Sequence, residues 1–217
     1  MKTKLEPISL YHEIYGTGKP LIFIHGNGED HHIFDEIGKK CLTTNSVILV
    51  DSRCHGQSRK DVPLHYIDMA NDIIKLIEDN SIEKPILIGF SDGGIIALLV
   101  ALIKETLLDS IVICGTNTNP YGVKTNTFIR LFFSQLFKPS IYKRLMLKEP
   151  RIKKDDLIKI SIPVHVIAGE KDIIKLKHTK KISLNIKNST IKIVKDEDHG
   201  SYVLDNDKFY EIIKEYI

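Results

Sequence analysis

Six short apolar runs, each bounded by turn residues, punctuate this chain: PLIFIHG at 20–26, SVILVD at 46–51, PILIGF at 85–90, DSIVICG at 109–115, IPVHVIAG at 162–169 and STIKIVKD at 189–196. They are rich in Ile and Val, and most are continuous rather than alternating, which is how strands covered on both faces look. ISLYHEIYG, at 8–16, alternates apolar with polar and suits an antiparallel edge strand. Between these runs lie segments of helical period: HHIFDEIGKKC, LHYIDMANDIIKLIEDN, GGIIALLVALIKE, IKLKHTKKISLNI and DNDKFYEIIKEYI. In the second, Ile67, Ala70, Ile73, Ile74 and Ile77 recur at helical spacing. The third is apolar nearly all round, as a helix buried between layers would be. Strand and helix in alternation predict an α/β fold, a mostly parallel central sheet with helices on both faces.

The rhythm breaks once. Residues 117–159 carry no strand signal; a polar TNTNPYGVKTNT leads into FIRLFFSQLFKPSIYKRLMLKE, which predicts a short helical cap inserted between two strands. The chain is thus expected to divide into a core, 1–116 and 160–217, and a cap, 117–159. With 217 residues, 42% of them hydrophobic, that core is large enough to bury. The net charge of +3 comes from 31 basic and 28 acidic residues that intermingle, so a nucleic-acid partner is not expected. The densest basic stretch, KRLMLKEPRIKKDDLIK at 143–159, is interrupted by acids and reads as a solvated helix face ahead of a phosphate-binding patch. No run reaches the roughly 18 apolar residues of a membrane span, and no membrane partner is expected. The opening MKTKLEPISLYHEIYG lacks the apolar run of an export leader. Cys41, Cys54 and Cys114, odd in number and without a CxxC spacing, read as reduced thiols of a cytoplasmic protein. Cys54 beside His55 makes a poor metal site, having no partner motif.

Chemistry enters at PILIGFSDGGIIALLVALIK, where Ser91 stands in G-x-S-x-G (Gly89, Ser91, Gly93) between a predicted strand and a predicted helix. That context is what makes the motif a nucleophile elbow rather than a glycine-rich turn. Small residues two positions to either side let strand and helix approach closely. The following helix aims free N–H groups and its positive end at the serine, so an oxyanion would meet donors already in place.

With this elbow, the chain resembles the α/β-hydrolase family, and GFSDGG is most similar to its small esterase, lactonase and amino-acid-ester hydrolase branches. The resemblance covers nearly the whole chain, since the other motifs fall in family order. It implies an acid and then a histidine after the serine. His199, in DEDHGSYV after the last predicted strand, is the expected base, although Asp198 precedes it where many relatives have glycine. Among the other histidines, His178 is expected on a helix and His165 within a strand, while His31 and His32 open a helix where substrate contact is possible. Asp172, in GEKD after IPVHVIAG, is the expected acid, with Glu170 its rival. The resemblance places His25 and Gly26 in an HG motif, which makes the backbone N–H of Asn27 one oxyanion donor and that of Asp92 the other. It gives the Asn27 side chain little part. DSRCHGQS, at 51–58, resembles the family's D-x-R-G-x-G-x-S loop, a brace of the fold, with Cys54 in place of the first glycine.

Serine at the elbow implies acyl transfer on a small-molecule ester substrate, with no metal or organic cofactor required. A thioesterase or C–C bond hydrolase would share the triad, and a hydrolase-like module that only binds a ligand is a third reading. For substrate contact the candidates are the Asp92 side chain, which suits an ammonium group, and Phe128 and Phe132 of the cap. The stripe Phe128, Leu131, Phe132, Phe133, Leu136 and Phe137 serves equally well to line an acyl pocket or to fix the cap to the body.

Overall fold

A computed structural model describes residues 7–217; the first six residues, part of the segment read above for an export leader, lie outside the described residues. The apolar runs become β1 (His12–Gly16), β2 (Lys19–Ile24), β3 (Asn45–Val50), β4 (Ile86–Phe90), β5 (Ser110–Cys114), β6 (Val164–Gly169) and β7 (Ser189–Val194). They form one sheet in the order β1-β3-β2-β4-β5-β6-β7, parallel throughout except for β1, which pairs antiparallel with β3 at one edge. β1 is shorter than its alternating pattern because the preceding N–H groups find side chains instead of a ladder. Ile8 donates to Asp72 Oδ1 at 2.8 Å and Tyr11 to Ser58 Oγ at 2.9 Å.

The helices are α1 (Asp35–Cys41), α2 (Tyr66–Asp79), α3 (Asp92–Lys104), α4 (Thr125–Phe137), α5 (Ile141–Lys148), α6 (Lys154–Leu157), α7 (Leu176–Leu184), α8 (Ser201–Leu204) and α9 (Asn206–Ile213). Two cores separate them across the sheet. Ile111 and Ile113 of β5 face α2, α3 and α7, whereas Val112 and Cys114 face the layer of α1, α8 and α9. Burial on both faces explains why the strand sequences run apolar without alternation. α4, α5 and α6 lie between β5 and β6, and Val123 bridges Ile174 in isolation beyond that gap.

One position of α2 departs from its pattern. Ile67 of α2 is 47% exposed, while Asp68 and Asp72 are buried on the inner face. The cause is Arg53, fully buried, whose Nε and Nη2 donate to Asp72 Oδ2 and Oδ1 at 2.6 and 2.7 Å. Ala70, Ile73, Ile74 and Ile77 are buried as the periodicity predicts; the charge pairing, invisible to that periodicity, changes only the first turn, where Asp68 is inside and Ile67 outside. Cys54, next in the loop, has φ +65°, the left-handed region that a glycine adopts freely. Its thiol donates to Val62 O at 3.3 Å, a contact that glycine would not supply.

The loops after β2, β4, β5, β6 and β7 all leave from the carboxyl ends of parallel strands. Such an edge is where open α/β sheets bind ligands.

Candidate active site

Ser91 follows β4 directly and takes φ +52°, ψ −110°, a conformation costing a non-glycine residue about 1–3 kcal/mol. Two things hold it there. Its N–H donates to Cys114 O of β5 at 2.7 Å, and α3 starts at the next residue. The close approach of α3 to β2 needs Gly93: a Cβ there would stand 1.9 Å from Ile24 O.

His199 and Asp172 complete a chain of contacts that spans 108 residues of sequence. Ser91 Oγ lies 3.0 Å from His199 Nε2, and His199 Nδ1 lies 2.7 Å from Asp172 Oδ1. Asp172 is fully buried, and Oδ1 also accepts the Ile174 N–H at 2.8 Å, which fixes the carboxylate. The imidazole packs on the ring of Phe90, with centroids 5.1 Å apart. Asp198, which stands where glycine was expected, caps the turn beyond His199 by accepting the N–H groups of Gly200 and Ser201 at 3.0 and 2.9 Å. Gly115, at φ +59°, lies beneath the imidazole; a Cβ on it would be 2.8 Å from His199 Cε1 and 3.3 Å from Asp172 Oδ2.

The loop after β2 meets the serine from the other side. A Cβ on Gly26 would sit 3.2 Å from Ser91 Cβ, so Asn27 follows immediately against the nucleophile turn. The Asn27 side chain, given little part from the sequence, donates through Nδ2 to Asp92 Oδ2 at 2.8 Å. Tyr66 of α2 donates its hydroxyl to Asp92 Oδ1 at 2.7 Å. The Asp92 carboxylate is therefore buried with both oxygens engaged, and burial raises its pKa against the pull of these two donors. Glu29 accepts the Gly26 N–H at 2.9 Å; burial raises its pKa also, while Gly26 and the nearby His199 draw it down.

The remaining histidines are occupied elsewhere. His25 contacts Gly26 O through Nδ1 at 2.7 Å and accepts the Ser52 N–H through Nε2 at 3.1 Å, and burial lowers its pKa to about 4. It is thus a neutral ring wedged between two loops. His55 does the same between Arg53 O and the Gly28 N–H, at 2.9 and 3.1 Å. His178, on α7 as expected, accepts the Thr118 N–H at 3.0 Å, and burial takes its pKa to about 4. His165 bonds Thr190 and stacks on Tyr216. His31 is buried against Asp51, at 2.8 Å, and His32 is exposed and paired with Asp35. Asp30, His31 and His32 offer donor atoms within 4.8 Å of one another, but those two carboxylates already hold Nδ1 of each ring. Glu170, the rival acid, is exposed and accepts the Asp196 N–H at 3.0 Å.

The candidate cap residues Phe128 and Phe132 lie on α4, and neither is fully buried. Phe128 is half-buried beside Tyr121, with ring centroids 5.7 Å apart, and Phe132 is 47% exposed against Phe133. No residue of α4 is buried.

Sequence reasoning passed over Tyr66, Glu29 and Gly115. Glu29 had a signal, an acid three residues beyond the HG pair; Tyr66 and Gly115 reach the site only through the crossing of β4, β5 and α2.

Comparison with known proteins agrees with this architecture. A family profile described as alpha/beta hydrolase fold matches residues 19–138. A superfamily protein of Bacillus subtilis, "AB hydrolase superfamily protein YisY", is 25% identical over 97% of this chain and 96% of its own length. The "sn-1-specific diacylglycerol lipase ABHD11" of Danio rerio is 30% identical over 55% of this chain. The match spans only 39% of that lipase's length, and 30% of the length of an ethanol acetyltransferase of Hanseniaspora uvarum. Among solved structures, a lipase-esterase related protein from Clostridium acetobutylicum superposes with a TM-score of 0.83 over 97% of this chain and all of its own, at 22% identity. At that identity the likeness is one of fold.

Proposed function

The chain belongs to the alpha/beta hydrolase fold family, and we propose that within it this protein is a serine hydrolase that cleaves a small carboxylic ester through an acyl-enzyme on Ser91. The observation that carries the reading is the unbroken contact chain: 3.0 Å from Ser91 Oγ to His199 Nε2, and 2.7 Å from His199 Nδ1 to Asp172 Oδ1. The name of one relative, the diacylglycerol lipase of Danio rerio, supports ester bonds as the substrate class.

In this mechanism His199 takes the Ser91 proton as Oγ attacks the ester carbonyl, and Asp172 steadies the imidazolium that results. The oxyanion is held by the backbone N–H groups of Asn27 and Asp92, the latter at the free N-terminus of α3. His199 then gives its proton to the departing alkoxide, which leaves as the alcohol. A water molecule, deprotonated by His199, attacks the acyl carbonyl; the acid departs and the proton returns to Ser91. The Asp92 side chain does its work here by position: its bonds to Asn27 and Tyr66 couple the two loops that carry the oxyanion donors. Those contacts support this role above capture of a substrate ammonium group.

A fluorophosphonate probe tests the proposal. Rapid labelling of the parent protein and none of Ser91→Ala is expected; a folded parent that stays unlabelled would favour a ligand-binding module instead. Gly115→Ala is expected to displace the imidazole and lower kcat/KM for a short ester about a hundredfold. Its left-handed φ adds a stability loss of about 1–2 kcal/mol. Steady-state rates with a melting curve check both; unchanged rates would mean that His199 absorbs the methyl group.

A further inference from the structure

Helix α4 wears its apolar face outward. Ile129, Phe132, Phe133, Leu136 and Phe137 recur at i, i+3, i+4, i+7 and i+8, a single stripe, and their exposure runs from 47% at Phe132 to 82% at Phe137. An amphipathic helix of a globular protein turns such a stripe to its core. Left outside, a contiguous apolar patch marks a place where something docks. Ile141, which opens α5, is exposed as well and lines a cleft of about 330 Å³ together with Leu64, Arg144 and Lys148.

The charge of this part of the chain identifies what docks. Residues 117–159 hold ten Lys and Arg against three Asp and Glu, which leaves 21 against 25 of the chain's 31 and 28 for everything else. The insertion is thus strongly cationic on an otherwise slightly anionic body. Among the described residues, none of Lys124, Arg130, Lys138, Arg144, Lys148 and Arg151 forms an ion pair with a carboxylate. A second copy docking through the same face would bring a second set of cations, Arg130 of α4 and Lys138 at its end among them, to that face. An anionic surface with an apolar interior satisfies both features together: the aromatic stripe enters the acyl boundary and the cations meet head groups.

We propose that α4, with the start of α5, is a docking surface for an anionic lipid bilayer, on which the protein lies without spanning it. Among the described residues no helix is long and apolar enough to cross a membrane. The sequence expectation that no membrane is involved rested on that same lack of a spanning run, which does not bear on a helix lying in the interface. The proposal stands apart from the ester-cleaving reading, because vesicle binding is measured without turnover.

Co-sedimentation with phosphatidylglycerol vesicles and with phosphatidylcholine vesicles is the test. Binding to the anionic vesicles is expected, at least about tenfold weaker on the zwitterionic ones and weakened by added salt. Phe133→Ser with Phe137→Ser, both on exposed positions, is expected to lower anionic binding about tenfold or more with an unchanged melting temperature. Arg130→Gln with Lys138→Gln is expected to weaken it too. Absence of binding, or binding indifferent to the paired phenylalanine change, overturns the proposal. So does a dimer in sedimentation velocity that the same phenylalanine variant dissociates, since a second copy would then be the occupant.

Discussion

Ser91→Ala is expected to lower kcat/KM for a short-chain ester about a million-fold, and His199→Ala by nearly as much. The double variant is expected to be no slower than either single one. The reason is geometric. Oγ and Nε2 are 3.0 Å apart, close enough for one proton to pass between them, so neither group accomplishes the attack without the other. Asp172→Ala is expected to cost less, about ten-thousand-fold, because the imidazole keeps its seat against Phe90 and loses only its orientation and the stabilisation of its charge. The rate that survives should still exceed that in water by about a thousandfold, since the proposed oxyanion donors, the N–H groups of Asn27 and Asp92, belong to the main chain and none of these substitutions removes them. Multiplying effects, instead of saturating ones, would separate Ser91 from His199 in the chemistry and defeat the proposed cycle. Retention of more than about a hundredth of the parent rate by Ser91→Ala would do so as well.

How much of this was legible in advance divides along a physical line. The strand runs and the glycines about Ser91 encode local geometry, so the sheet and the elbow could be read from residue order, whereas His199 and Asp172 were named through the family resemblance. What could not be read arises where distant segments meet. Ile67 fits a helical apolar stripe but faces solvent, because Arg53 draws Asp68 and Asp72 inward. Asn27 and Asp92 looked like main-chain donors alone, yet their side chains bond to each other with Tyr66 behind them. The apolar stripe of α4 gave the helix and not its direction: periodicity shows that residues share a face, never what that face meets, and Ile129, Phe132, Phe133, Leu136 and Phe137 turn outward.

Arg53→Met is expected to destabilise the protein by about 3–5 kcal/mol, although it removes a buried charge and leaves an apolar chain of similar length in its place. The guanidinium is fully enclosed, and it grips Asp72 with two parallel bonds, donates to Pro63 O at 3.1 Å and lies 3.6 Å from Asp68 Oδ2. Methionine would fill the space but strand the buried Asp72 carboxylate, which keeps only the Ile8 N–H at 2.8 Å. For a domain of this size the loss corresponds to a fall in Tm of about 2–4 °C per kcal/mol. A second variant separates charge from packing. Arg53→Met combined with Asp72→Asn should recover part of the loss, since the stranded charge is then gone and only imperfectly paired dipoles remain. Activity should suffer along with stability. Arg53 O contacts Nδ1 of His55, and the other ring nitrogen of His55 accepts the N–H of Gly28, one residue beyond the proposed oxyanion donor Asn27. A Tm within about 2 °C of the parent would mean that water or a moved side chain reaches Asp72, and that the loop from Asp51 to Ser58 is held by something other than this pair.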